Sequence, residues 1–331
     1  MSEKILFTSD LHLTKDLLRI TTCLNYLDYI KKYCIDNDIK HLVLGGDLLH
    51  QSNSIKNQAF IPFFNKLFEL SKVVQLYIFV GNHEMMNSDR DSLLEAFKPF
   101  SHFIKDSETI NIGGVDYDFL SYSENPEDLP NKGSVLFTHL EVEGFFFNPY
   151  QKSENKTFTK RSFDQYELVI SGHIHKMQKE GNIVFPGSPY STCRGEQGQH
   201  YFCVVEGSNY ELMEYNEAPD YLTISTEELA EVLKDKNYSR FKNKIVDVLI
   251  NSKVEKFVQL RNILITNGAV EVNPIFQKNE ENVDIGDKKI NTNEGVAPSF
   301  VKYLGQTKVS GISNEKLLTC FKEVLKRMKE E

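Results

Sequence analysis

Short apolar runs alternate along this chain with stretches of helical period, and the apolar runs end in small polar clusters. Lys4-Ile-Leu-Phe-Thr8, Leu42 to Gly46 and Val73 to Val80 read as buried strands. Between them, Leu17 to Asp36 spaces Ile20, Leu24, Leu27, Ile30 and Cys34 close to a helical repeat, and Gln58 to Leu70 puts Phe60, Phe63, Phe64 and Leu67 on one stripe. This strand-helix-strand repeat predicts a sheet covered by helices with right-handed crossovers. After a short helix around Ser92 to Phe97 come shorter strands: Thr109 to Ile112, Val115 to Tyr122, Ser134 to Thr138, Glu167 to Ser171, Ile183 to Phe185, and a hairpin of Tyr201 to Glu206 with Tyr210 to Tyr215. Two mixed sheets packed face to face, flanked by helices, would use them all, an α/β (α+β) fold. The connection Glu141 to Gln165 shows no period and reads as a long functional loop.

The pattern weakens from about Glu217. Thr226 to Lys234 and Phe241 to Ile250 read as amphipathic helices, and Lys256 to Ile265 with Ala269 to Phe276 as two strands joined across Asn267-Gly268. Residues 278–295 have the composition of a flexible linker, and Glu315 to Lys329 spaces Leu317, Leu318, Phe321, Val324, Leu325 and Met328 as an apolar helical stripe. The domain organisation expected is 1–216 for a main domain, 217–277 for a small second one, 278–295 for the linker and 296–331 for a terminal helical segment.

The polar clusters change the picture. Asp10-Leu-His12 follows the first strand, Gly46-Asp47-Leu-Leu-His50 the second, Gly81-Asn82-His83-Glu84 the third, Thr138-His139 a later one, and Gly172-His173-Ile-His175 another. Five strand ends thus deliver carboxylates, imidazoles and one amide to a sheet edge, where ligands of α/β folds gather. Six of the nine histidines lie in these clusters. Such a set suits two divalent ions about 3.5–4 Å apart sharing a carboxylate. Asp47 is the candidate bridge; Asp10, His12 and His175 complete one ion, and Asn82, His139 and His173 the other. Mixed nitrogen and oxygen donors favour manganese, iron or zinc over calcium, with magnesium also admissible. His83 would face substrate as proton donor to the leaving oxygen, and His50 would orient the phosphate.

Composition bounds the setting. The 331 residues exceed the usual single domain, and 40% hydrophobic content supports a large core. No apolar run is long enough to span a bilayer and no leader opens the chain, so an unexported, cytoplasmic protein is expected. Five cysteines without a CxxC pair fit a reducing compartment. A net charge of -9 argues against a general positive surface for nucleic acid, although two cations would make the cleft itself electropositive.

The set Asp10-x-His12, Gly46-Asp47-x-x-His50, Gly81-Asn82-His83-Glu84, His139 and Gly172-His173-x-His175 resembles, in order, the calcineurin-like metallophosphoesterase signature over residues 4 to about 215. Within that superfamily, the histidine three residues after the bridging Asp and the segment Pro186-Gly187-Ser188-Pro189-Tyr190 resemble the SbcD-type repair nucleases. The resemblance implies a two-sheet metallophosphoesterase sandwich with a small α+β capping domain and a C-terminal helix. It also implies a manganese-dependent DNA exo- and endonuclease, dimeric, acting in DNA end processing and recombination beside an SbcC-like coiled-coil ATPase, on which the terminal helix would dock. Glu84 stands where the nucleases more often carry Asp. The arginine that follows the bridging motif in protein phosphatases is replaced by Gln51. Arg194, Lys160 and Arg161 are candidate substrate contacts. A small-molecule or cyclic-nucleotide phosphodiesterase using the same metals is the alternative reading, and a non-catalytic scaffold is disfavoured by the intact ligand set.

Overall fold

In the computed structural model of the chain, residues 2–50, 55–85, 91–250 and 257–276 are described. The elements run β1 (Lys4–Thr8), α1 (Leu17–Asp36), β2 (His41–Gly45), α2 (Asn57–Ser71), β3 (Gln75–Phe79), β4 (His102–Ile104), β5 (Ser107–Ile112), β6 (Val115–Leu120), β7 (Val135–His139), β8 (Phe146–Asn148), β9 (Gln151–Lys152), β10 (Leu168–Gly172), β11 (Gln178–Glu180), β12 (Ile183–Phe185), β13 (Tyr201–Glu206) and β14 (Asn209–Glu214). Then follow β15 (Asp220–Ser225), α3 (Thr226–Asp235), β16 (Lys244–Ile250), α4 (Phe257–Thr266) and β17 (Glu271–Phe276).

Two six-stranded mixed sheets carry the first part, in the orders β14-β13-β1-β2-β3-β4 and β11-β12-β10-β7-β6-β5. They pack face to face because each central strand is apolar on both faces. Ile5, Phe7, Val43 and Phe79 from the first sheet meet Tyr117, Phe119, Phe137 and Ile170 from the second in one buried layer, with Phe7 stacked on Phe137 at 5.7 Å between centroids. The first sheet's outer face is covered by α1 and α2 through Tyr26, Leu27, Phe63 and Leu67. The second sheet's outer face is covered by the 140–166 segment through Phe145, Phe158 and Phe163. The fold is thus the mixed α/β two-sheet sandwich flanked by helices.

Asp16 caps the N-terminus of α1, its carboxylate accepting from the Arg19 amide at 3.1 Å. Two bonds lock the sheet edges together near the strand ends: the Val80 amide donates to Ser121 Oγ at 3.0 Å and the Tyr122 amide to the Val80 carbonyl at 2.8 Å.

The last described part is a three-stranded parallel sheet β15-β16-β17 with α3 and α4. Two expectations are corrected here. Phe241 to Ile250 is not a helix: Lys244–Ile250 is the central strand β16, covered by α3 and α4, so its apolar run lacks the alternation that marks a half-buried strand. Lys256 to Ile265 is not a strand: Phe257–Thr266 is helix α4, whose β-branched content mimics a strand while Leu264 anchors it in the core. The periodless Glu141 to Gln165 stretch holds the short β8–β9 hairpin and a single helical turn at Lys160–Phe163. The expected linker and terminal helix lie outside the described residues. Among the described residues no helix is long and apolar enough to cross a membrane, and the four described cysteines are free thiols.

Candidate active site

The clusters at the ends of β1, β2 and β3 belong to one sheet and those at the ends of β7 and β10 to the other, so the site straddles the carboxyl edges of both. The loops after β1 and β2 are zipped by backbone bonds, Asp10 N to Gly46 O at 3.0 Å, His12 N to Asp47 O at 2.9 Å and His50 N to Leu13 O at 3.0 Å. Cross-strand register sets Gly172 beside His139, which places His173 next to it. Asp10, His12, Asp47 and His173 all adopt left-handed backbone, with φ of 57°, 44°, 49° and 86°. Each such residue costs on the order of 1 kcal/mol, and the strain turns its side chain inward over the strand ends.

The turns need glycine for proximity. A Cβ on Gly81 would collide with the Asp47 carboxylate, and one on Gly172 would sit 2.6 Å from His139 Nδ1.

All seven candidate donors converge. Asp10, His12 and His175 form one group and Asp47, His139 and His173 a second, the ligand atoms in each lying within 4.8 Å of one another. Asp47 stands between them: its Oδ2 is 3.7 Å from His12 Nε2 and 3.3 Å from His139 Nε2. His12 Nε2 and His175 Nε2 face each other at 2.9 Å, and Asn82 Oδ1 meets His173 Nδ1 at 2.9 Å. Two donors each about 2.1 Å from one ion at right angles would stand about 3 Å apart, so both spacings suit shared cations.

His139 gives the sharpest test of fit. Its Nδ1–H donates to the Gly45 carbonyl at 2.8 Å, so Nε2 points into the site, fully buried and, among the described residues, with no hydrogen-bond partner. Asp47 Oδ2 is near enough to attract it but does not accept a bond from it. An orphaned imidazole nitrogen aimed between two buried carboxylates is the arrangement a cation completes. The His and Asp groups therefore fit two divalent metal ions.

The electrostatics agree. Burial alone would raise the Asp47 carboxyl, but His139, His12 and His83 hold it well below the usual carboxylate range. Burial raises Asp10, helped by Asp47 and opposed by His139 and His175. Burial, aided by His139, brings His173 down to about 3, and burial lowers His12, so both are neutral imidazoles with lone pairs to offer. Burial also opposes charge on His139, yet Asp47 and Asp10 push it up to about 9; with cations in place of that proton, the same carboxylates would be satisfied.

Two residues frame the mouth. His83 Nδ1–H donates to the His50 carbonyl at 2.6 Å, leaving Nε2 3.8 Å from Asp47 Oδ2. The His50 and His83 rings stack at 5.4 Å. Beneath them Glu84, fully buried, accepts from the amides of Asp47 (2.9 Å), Leu49 (2.7 Å) and Gly81 (2.9 Å) and so ties the second and third loops together. Burial, reinforced by Asp47, pushes its carboxyl up to about 8, against the pull of those amides.

The three expected substrate contacts lie elsewhere or are engaged. Arg194 borders, with His175 and Lys176, a cavity of about 480 Å³, but its guanidinium forks onto Asp247 of β16 at 2.5 and 2.9 Å. Lys160 pairs with Glu180 and lies over the Phe145 ring. Arg161 lines, with Lys152, Lys156 and Lys160, a separate cavity of about 910 Å³. Sequence reading missed Glu196, which meets His175; no local motif marks it, because it comes from an irregular loop.

Residues 3–177 match the family described as calcineurin-like phosphoesterase. The 244L protein of Invertebrate iridescent virus 6, which carries the name of a phosphoesterase, is 24% identical over 301 residues, covering 84% of this chain and 98% of its own length. Exonuclease subunit 1 of Enterobacteria phage T4 is 22% identical over 185 residues, 52% of each chain. A dimetal phosphatase structure from Danio rerio superposes with a TM-score of 0.43 at 12% identity, covering 65% of this chain and 99% of that one. With more than half its length matched, and with the ligand groups assembled at the sheet edges, this chain belongs to the calcineurin-like phosphoesterase family and is a hydrolase acting on phosphoester bonds.

Proposed function

We propose that the chain is the nuclease subunit of an SbcCD-like DNA end-processing complex, cleaving phosphodiester bonds with two manganese ions held by Asp10, His12, Asp47, Asn82, His139, His173 and His175. The observation that carries this reading is the His50–His83 pair at the mouth of the site. A histidine, stacked at 5.4 Å on the proton-donor candidate, borders the space where a phosphate would lie, and Gln51 follows it where phosphatases of the family place a clamping arginine. The similarity to the phage T4 exonuclease subunit supports the same substrate class.

Bound ions would supply Lewis acidity to the phosphate and an activated water. The protein's own groups do the rest. His83 Nδ1 is occupied by the His50 carbonyl, so any second proton on the ring sits on Nε2, the atom facing the bridging carboxylate; that proton would pass to the leaving oxygen. The chain's neutral Asn82 ligand keeps the site electropositive toward phosphate.

A cytoplasmic homodimer associated with a coiled-coil ATPase through residues 296–331 completes the proposal, and co-purification before and after removing that segment tests it. For the activity, purified protein with Mn²⁺ is incubated with linear duplex DNA beside the Asp47→Asn variant. Degradation by the first alone supports the nuclease. Cleavage of bis(p-nitrophenyl) phosphate with no action on any DNA would move the enzyme to the small-molecule phosphodiesterases.

A further inference from the structure

The loop between the Pro186–Tyr190 segment and β13 carries a carboxylate that the reaction scheme does not use. Glu196 Oε1 accepts from His175 Nδ1–H at 2.6 Å. Its other oxygen accepts from the Thr192 amide at 2.6 Å, the Thr192 hydroxyl at 2.8 Å and the Cys193 amide at 3.2 Å. Oε1 also accepts from the Cys193 thiol at 3.2 Å, so the carboxylate is held on both sides, with the short bond of Oε1 directed at the imidazole. Thr192 Oγ1 also lies 3.2 Å from the same His175 nitrogen.

We infer that Glu196 is a positioning residue of the metal site: by taking the Nδ1 proton of His175 it fixes the tautomer and the ring plane so that Nε2 presents its lone pair, beside His12, to one of the two ions. Imidazole ligands are commonly oriented this way by an outer carboxylate, and loss of such a partner weakens metal binding by about 10–100-fold. The loop that carries Glu196 is itself braced. Arg194 forks onto the buried Asp247 of β16, and Ser191 Oγ donates to Asp220 at 2.8 Å. The three-stranded sheet thereby sets where Glu196 stands, and through it the orientation of His175.

This inference rests on the metal-ligand role of His175 and does not depend on DNA being the substrate, so its test uses Mn²⁺ and bis(p-nitrophenyl) phosphate. Calorimetric titration of full-length metal-free protein with Mn²⁺ is expected to show two sites, one of which weakens about 10-fold or more in Glu196→Gln. The kcat for the diester should fall at low Mn²⁺ and recover as Mn²⁺ is raised, with KM for the diester unchanged; a change that merely loosened the fold would not be rescued by metal. Thr192→Val, which removes one contact and keeps the chain's shape, should show a smaller loss at the same site and carries the test if Glu196→Gln fails to fold. Wild-type affinity at both sites in these variants, alongside loss of one site in His175→Ala, would overturn the role of Glu196. Two intact sites in His175→Ala would overturn the ligand assignment beneath it.

Discussion

The Asp47 amide donates to the buried carboxylate of Glu84 at 2.9 Å, and this bond, with those from Leu49 and Gly81, hangs the central carboxylate loop from the one after β3. The extra methylene of Glu over Asp is what reaches three amides at once. Glu84→Ala would leave three buried N–H groups unpaired and is expected to cost about 3 kcal/mol or more. Glu84→Asp should lie between it and wild type, because a shorter arm cannot satisfy all three. Urea unfolding of the metal-free protein measures both, and unchanged midpoints would remove Glu84 from the scaffold.

Metal removal should abolish hydrolysis and lower thermal stability, because the two carboxylates and the orphaned His139 nitrogen lose the charge they were arranged around. Readdition of Mn²⁺ should restore both. Asp47→Asn and His173→Ala should bind fewer ions and not recover at any Mn²⁺ concentration. Metal content by elemental analysis alongside diester turnover checks each.

His83→Ala separates chemistry from assembly. Its side chain is 35% exposed, with Nε2 3.8 Å from Asp47 Oδ2 and the ring edge-on to His12 at 4.9 Å; the ions should stay while kcat falls by about 10²–10⁴-fold, the usual contribution of a positioned acid. Loss of metal in this variant would place His83 among the ligands instead.

Gly172→Ala tests how closely the two sheets approach. The added methyl would lie 2.6 Å from His139 Nδ1 and 2.9 Å from the Gly45 carbonyl, breaking the bond that aims His139. A loss of about 1–3 kcal/mol in stability is expected, together with weakened binding of one ion. Calorimetry and chemical unfolding read the two effects separately.

Arg194→Ala should act on stability. It leaves Asp247, fully buried, without its partner, at a cost of about 2–3 kcal/mol, while KM for a diester changes little. Pairing it with Asp247→Leu should recover most of the loss. A large rise in KM with unchanged stability would instead make Arg194 the phosphate contact read from the sequence.

The strand-end clusters were legible without coordinates. Each donor sits within a few residues of an apolar run, and chemistry confined to such short windows survives in one dimension. Val43, Phe79 and Phe137 announce central strands by composition, and the polar residues after them mark the edge where the runs stop. Beyond Glu217 the reading failed at β16 and α4. A strand covered on both faces and a short β-branched helix both present unbroken apolar runs, and only the packing partners tell them apart.

What tertiary structure alone decided is the pairing across the sandwich. That His139 aims between Asp10 and Asp47 depends on two sheets meeting face to face, with Gly45 accepting one ring nitrogen so that the other is left bare. Glu196 reaches His175, and Arg194 reaches Asp247, only because an irregular loop folds back over the site. Contacts of that kind leave no period in the sequence, since each depends on where two distant backbones come to rest.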